Sequence, residues 1–438
     1  MTAEPPGENR AAIERGPTLL PNLGAEEGED WRALATQPRV RVAARLFAHL
    51  LSATAHIALP DPSRGTMTSW WPCDEAWPDA LGPRPTGPVF DWLESGSPPH
   101  PVPWLVTPDL DRWSRETFGR GLAGPPPECV ARLHDKAFAI RTARTLGLDP
   151  AGLAPLLRIL APEDLRSPDA LVRRLDADLR GWPAWTGRRF TLKPRWGTSG
   201  RGRVGGRGTA DTPGVRGAFA RLAARGGAIF EPWLPRRNDL SVSLRIPPLE
   251  ETGMQPVLLG SLETLVTPSG VFRGHLGEVD SRGRVFSGLR QDEALRSDAA
   301  AVARIAREQG FHGPCGIDAF CYLEGERERL RPLVEFNARA TMGLITIGLV
   351  RRALPLVRER LGLEPGGRAG FVFAITETTG EPAAEADPPL TKELEASGSD
   401  ALVLDLSSDP IPSPARPLLV FFGKGGRPSA SLIESLRC

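Results

Sequence analysis

Between residues 131 and 350 apolar and polar positions alternate regularly enough for elements to be drawn from the chain itself. Residues 240–246, LSVSLRI, alternate without a break, the period-two pattern of a half-buried strand. Residues 256–266 and 270–278 read as two further strands around a Thr267-Pro268-Ser269 turn. Asp135 to Leu146 carries helical spacing, with Asp135 as cap and Gly147 as stop. Arg189 to Lys193 (RFTLK) reads as a strand, Val215 to Ala224 as an amphipathic helix ended by Gly226-Gly227, and Ala228 to Glu231 as a short strand. Ser297 to Gln309 reads as a helix with Gly310 just past its end. Two apolar strands follow at 316–322 and 331–337, joined by the charged turn Glu324-Gly325-Glu326. Beyond residue 370 three strand-like runs (FVFAI, ALVLDL, PLLVFF) stand between Pro/Ser-rich connections.

The first 130 residues are less regular. Residues 1–30 are polar, rich in Pro and Gly, and are expected to form a mobile tail. Val40, Ala43, Leu46, Phe47, Leu50 and Leu51 fall at helical spacing within residues 31–60 and predict a helix packed on a core. Residues 61–130 are rich in Pro and Trp and resist assignment, apart from a short strand over 102–106. The Trp70-Trp71-Pro72-Cys73 cluster is expected to be core packing.

Composition narrows the classes. At 438 residues, with 40% apolar and 24% charged, the chain is long enough for two or three domains of ordinary globular type. A formal charge of +1 gives no global field to gather nucleic acid or an anionic membrane, so neither is expected as a partner. No apolar run approaches the ~18 residues that a membrane helix needs, and the N-terminus is not signal-like, which predicts a cytoplasmic location. Five cysteines (73, 129, 315, 321, 438) show no CxxC spacing and are expected to be reduced, buried thiols. The basic residues are nearly all arginine: lysine occurs only at 136, 193, 392 and 424, and asparagine only at 9, 22, 238 and 337. Where guanidinium is the default cation, a surviving lysine suits a place that needs a compact point charge.

Two segments carry candidate chemistry. FTLKPRWGTSGRGRVG, residues 190–205, is a strand followed by a loop, with six glycines between 197 and 208. Such a loop can turn its N–H groups toward phosphate oxygens, with Lys193 adding a fixed charge. An Arg/Gly-rich RNA-binding tract or a plain linker fits the segment equally well. The second is the pair GIDAF (316–320) and LVEFNAR (333–339). Glu335 and Asn337 are two apart on one strand and share a face, where Asp318 joins them if the strands pair. Two carboxylates and an amide oxygen suit Mg²⁺. A solvated hairpin surface is the alternative, but the flanking Ile317, Phe320, Leu333, Val334 and Phe336 place these polar groups in a largely buried element, which favours the metal.

In their order along the chain these pieces resemble the ATP-grasp superfamily, over roughly residues 131–350. Asp135-Lys136 looks like the family's first lysine. LKP with its glycine loop, 192–202, looks like the phosphate-covering lid. FEPWL, 230–234, looks like the adenine hinge, Asp239 like the ribose-binding acid, and GIDAF with EFNAR like the metal strands and the arginine after them. The resemblance implies an α/β (α+β) fold of two lobes clasping ATP: a tail (1–30), a pre-ATP-grasp domain (31–130), a small lobe with the lid (131–235), a large lobe with the metal site (236–365) and a C-terminal α/β extension (366–438). It implies that Lys136 and Lys193 contact the α and β phosphates and that Ser199, Gly200, Arg201 and Gly202 close over the β and γ phosphates. Glu231, Trp233 and Leu234 would line the adenine site, with Asp239 on the ribose. Asp318, Glu335 and Asn337 would hold Mg²⁺, with Mn²⁺ as an alternative, and Arg339 would stabilise the acyl phosphate. The implied activity is ATP-dependent joining of a carboxylate to an amine, on small substrates or a short peptide, with a homodimer left open. The alternatives are a kinase-like phosphotransferase and a non-catalytic ATP-binding protein. Ala338 departs from the family's usual proline, nothing before Asp135 carries a nucleotide-fold fingerprint, and Arg245 and His275 are as easily structural as substrate-facing.

Overall fold

Three sheets organise the computed structural model, which describes residues 17–27, 37–61, 66–72, 77–95, 100–197, 201–267, 270–377, 401–407, 415–423, 426 and 428–437. The N-terminal sheet has the order β3-β2-β1-β4, with β1 Thr18–Leu20, β2 His56–Asp61, β3 Thr66–Pro72 and β4 Val102–Pro103. Strand β1 runs parallel to both β2 and β4. Within the described residues 17–27 this departs from the expected mobile tail: Leu19 and Leu20 are fully buried in a strand with two neighbours, and Glu26 is buried too. The predicted 31–60 helix is shorter, Pro38–Ala48, and Leu50 and Leu51 are buried in the turn beyond it. The predicted 102–106 strand contracts to two residues.

A small sheet of order β5-β8-β6-β7 follows, with β5 Arg158–Leu160, β6 Arg189–Pro194, β7 Val204–Arg207 and β8 Ala228–Pro232. Its own core packs Leu175, Phe190, Leu192, Phe219 and Phe230, separate from the main one. Gly227, at φ 109°, opens β8. A Cβ there would lie 2.2 Å from the Leu160 carbonyl oxygen, so the position admits only glycine.

The large sheet has nine strands in the order β14-β13-β9-β10-β12-β11-β15-β17-β16. They are β9 Arg236–Ile246, β10 Val257–Val266, β11 Phe272–Asp280, β12 Val285–Phe286, β13 Gly313–Glu324, β14 Arg327–Asn337, β15 Arg368–Glu377, β16 Ala401–Asp405 and β17 Ala415–Phe422. The hairpin β13–β14 turns at Gly325, φ 65°, the first residue of a two-residue connection that needs positive φ. The three C-terminal strands lengthen this same sheet, so the tail of the chain is built into the large lobe. One core runs beneath it into the N-terminal domain, joining Leu19, Phe47, Val242, Phe336, Ile347 and Phe421. Among the described residues no helix is long and apolar enough to cross a membrane.

The helix Lys136–Leu146 forms as its sequence predicts. The Asp135 carboxylate accepts from the Ala137 N–H at 2.8 Å, and Gly147 ends the helix at φ 64°. Its Phe138 meets Phe336 edge-on, centroids 5.3 Å apart, a contact worth about 1 kcal/mol beyond burial. That contact fixes the start of the helix against the strand that carries Glu335. The α/β architecture, a small lid-bearing sheet facing a large one, agrees with the fold that the ATP-grasp resemblance implies.

Candidate active site at the seam of the two lobes

Lys136 opens its helix at the seam, and three contacts hold it there. Its N–H donates to the Arg195 carbonyl at 3.2 Å, and its Nζ donates to the Gly197 carbonyl at 2.5 Å. The same Nζ stands 2.9 Å from Glu335 Oε1. Arg195 in turn grips Asp135 through Nε, at 3.0 and 3.1 Å, so the base of the glycine loop is tied to the helix cap.

Asp318 and Glu335 face each other across β13–β14, and Asn337 Nδ2 donates to Asp318 Oδ2 at 2.9 Å. The predicted trio is therefore assembled on one face. Burial first, and then the neighbouring Glu335 carboxylate, push the Asp318 carboxyl up from the ordinary range to about 6. Neighbouring carboxylates brought together under burial form an environment that a divalent cation would relieve. Among the described residues no three His, Cys, Asp or Glu side chains cluster as a metal site. The protein thus offers two carboxylates and an amide, the sparse oxygen set with which Mg²⁺ combines substrate phosphates. The residues fit the ion.

Lys193, at the end of β6, reaches the same seam from the small lobe. Its Nζ lies 2.5 Å from Glu231 Oε1 on β8, and it is close enough to Glu335 to feel that charge. Glu231 Oε2 accepts from Arg331 NH1 at 2.9 Å, and Arg331 Nε stands 3.4 Å from Asp149. Burial works against the charge on Glu231, but Lys193 and Arg331 outweigh it and hold the carboxyl at about 2. A folded value below the unfolded 4.5 means that Glu231 adds stability above pH 4.5, and that this is lost as pH falls toward 2. Glu231→Gln should therefore flatten the acid limb of the stability curve between about pH 4.5 and 2, by on the order of 3 kcal/mol, in urea melts at stepped pH. An unchanged acid limb would remove the argument.

At the positions expected to border adenine, the side chain of Glu231 is committed to this ion network, which leaves only its backbone for the expected contact. Trp233 donates its N–H to the Arg189 carbonyl at 2.8 Å, while Leu234 is buried against Leu153, Leu157, Phe320 and Tyr322. The guanidinium groups of Arg203 and Arg236 lie 4.6 and 5.2 Å from the Trp233 ring. Asp239, paired with Arg236 at 2.6 Å, sits beside Phe320 in the β9–β13 ladder, two residues from the strand position facing Asp318.

Arg339 lies against the N-terminal segment. Its Nε is 2.5 Å from Glu26 Oε1, and its guanidinium covers the Trp104 ring at 5.0 Å, so it clamps the N-terminal segment to the large lobe. Of the lid, Ser199 and Gly200 lie outside the described residues. Arg201 is exposed, and Gly202 holds φ 71°. His275 is buried on Thr346 at 2.8 Å and Arg245 faces Glu251 at 3.4 Å, so both are structural. Cys129, Cys315 and Cys321 are free, buried thiols. Sequence reasoning passed over Arg331, Arg236 and Glu26. An arginine and a proline inside the apolar strand 331–337 were the signal for the first; nothing local marked the last.

No family profile and no curated protein matches the chain. Among solved structures, it is similar to biotin carboxylase of Campylobacter jejuni, with 11% identity, TM-score 0.49, and coverage of 95% of this chain and 89% of that one. It is similar also to N5-carboxyaminoimidazole ribonucleotide synthetase of Thermus thermophilus, with 17% identity, TM-score 0.48, and 96% of each chain covered. Pyruvate carboxylase of Rhizobium etli matches 94% of this chain at 13% identity and TM-score 0.47. This chain spans 36% of that protein's length.

Proposed function

We propose that the chain is an ATP-grasp ligase that activates a carboxylate as an acyl phosphate and joins it to an amine, releasing ADP and phosphate. One observation carries the reading: Lys136 from the helix, Lys193 from the small sheet, and Asp318, Glu335 and Asn337 from the large sheet meet at one seam. A carboxylate oxygen attacking the γ-phosphorus brings two anions together, and phosphoryl transfer leaves the protein mainly positioning and charge neutralisation to do. Lys136 and Lys193 neutralise the α and β phosphates, while the backbone of Glu231, Trp233 and Leu234 borders the base and Asp239 the ribose. Mg²⁺ would be held by Asp318, Glu335 and Asn337 and would polarise phosphoryl oxygens as a Lewis acid. The lid from Ser199 to Gly202 excludes water while the acyl phosphate waits for the nucleophile. Arg339, released from Glu26 or sharing it, would meet the developing negative charge on the acyl group.

ADP release tests this directly. It should require ATP, a carboxylate and a nucleophile together, across pairs of amino acids and small acids, with the joined product seen by mass spectrometry. A lasting phosphorylated acid without ligation would instead mark a phosphotransferase. ATP-dependent thermal stabilisation without any turnover would mark a binding protein.

A further inference from the structure

Lys193, Glu231, Arg331 and Asp149 form a run of alternating charge, linked at 2.5, 2.9 and 3.4 Å, that crosses from the small sheet to the large one. Their side chains are 13%, 3%, 1% and 2% exposed in that order, so only Lys193 presents surface to the seam. Each oxygen of Glu231 has its own cation, Oε1 with Lys193 and Oε2 with Arg331. The charge of a lysine held this way is balanced by Glu231, so a phosphate must compete with that carboxylate for it. A buried carboxylate resists the departure of its last counterion, because nothing nearby replaces the lost charge.

We propose that Arg331 is a positioning residue for nucleotide binding: as the standing counterion of Glu231, it frees Lys193 to exchange that carboxylate for a phosphate. The proposal rests on the ligase reading above and adds to it a residue that touches neither nucleotide nor metal. Asp149 completes the device. It holds Arg331 from the opposite side, and Phe320 lies under the guanidinium at 5.7 Å, so Arg331 stays when Lys193 moves. The planar fork matters here, because NH1 and Nε serve different carboxylates at once, a geometry that lysine cannot reproduce. Glu231 remains ionised throughout and provides a fixed resting place to which Lys193 returns after product release.

The test is titration calorimetry of Mg-ATP, Mg-ADP and adenosine on the full chain. Arg331→Met should weaken ATP and ADP by about tenfold or more, since Lys193 is then held by a carboxylate with no second cation. Adenosine, which has no phosphate for Lys193, should keep its affinity within about twofold. The double variant E231Q/R331M removes the carboxylate that traps the lysine and should recover ATP affinity to within about threefold of the natural chain. If Arg331→Met does not fold, Arg331→Lys takes its place, with the same split between ATP and adenosine at a smaller size. Equal losses for adenosine and ATP would reduce Arg331 to a structural bolt and overturn the proposal. So would a double variant no tighter than the single one, or an Arg331 variant with unchanged ATP affinity. A natural chain that binds no adenine nucleotide overturns the ligase reading itself. A natural chain that binds ATP while the Arg331 variants behave normally overturns only this inference.

Discussion

Glu335→Ala is expected to lower ATP turnover by about 10³-fold while the protein stays folded. Glu335 serves two partners at once. It stands across the ladder from Asp318, where on the proposed reading its oxygens would help hold a divalent cation, and it anchors Lys136 at 2.9 Å. Alanine removes both functions. The fold should survive, because Phe336 next to it keeps its contacts with Phe138 and Phe311, and Lys136 keeps the Gly197 carbonyl. The remaining cost is a lysine with one fewer partner, about 1–3 kcal/mol. Glu335→Gln separates the two roles, since it keeps an acceptor for Lys136 but loses the charge. Turnover near zero in both variants, with melting close to that of the natural chain, fits the assignment. An active Glu335→Ala protein would refute it.

The second large effect is on stability. Glu26→Ala should cost about 3–5 kcal/mol in urea unfolding, because it removes the paired carboxylate from beside a guanidinium that is 8% exposed. Glu26 Oε1 faces Arg339 Nε at 2.5 Å and accepts from Trp104 Nε1 at 3.4 Å. The Trp104 face and the Ala340 carbonyl, which also meet Arg339, carry no full negative charge to take the place of the carboxylate. Glu26→Gln should recover part of the loss through the amide oxygen. A midpoint shift equivalent to less than ~1 kcal/mol for alanine would mean that the pair is incidental.

These two sites differ in how visible they were along the chain. Glu335 could be found because its neighbours are apolar and alternate with it, so a strand and its face follow from spacing alone. The helix at Lys136 declares itself through a capping carboxylate and a terminal glycine, both local devices. Strand β9 is equally plain, since half-burial on a pleat writes its period directly into LSVSLRI. Glu26 was hidden because β1 is three residues long and buried on both sides, which leaves no alternation to read, and its surroundings are polar. The helix Asp292–Glu308 starts five residues before the predicted Ser297. Asp292 there accepts from Ser287, five residues back, and from Ser261, 31 residues back, partners that fix a start without a standard capping motif. Arg331 was hidden for a similar reason: its carboxylates lie 100 and 182 positions away, and only the assembled lobes bring them within reach.

The small lobe keeps an interior of its own, apart from the core that unites the N-terminal domain with the large sheet. A body with a self-contained interior can swing without repacking anything inside it, so the work of opening falls on the joint alone. At that joint an apolar contact of Leu153, Leu157 and Leu234 with Phe320 and Tyr322 stands beside ionic fasteners, Lys136 with Glu335 and Glu231 with Arg331. Such fasteners can be traded for phosphate oxygens at little net change in charge. On the proposed reading, the mouth between the lobes would loosen and tighten with its nucleotide, on the microsecond-to-millisecond scale of hinged lobes.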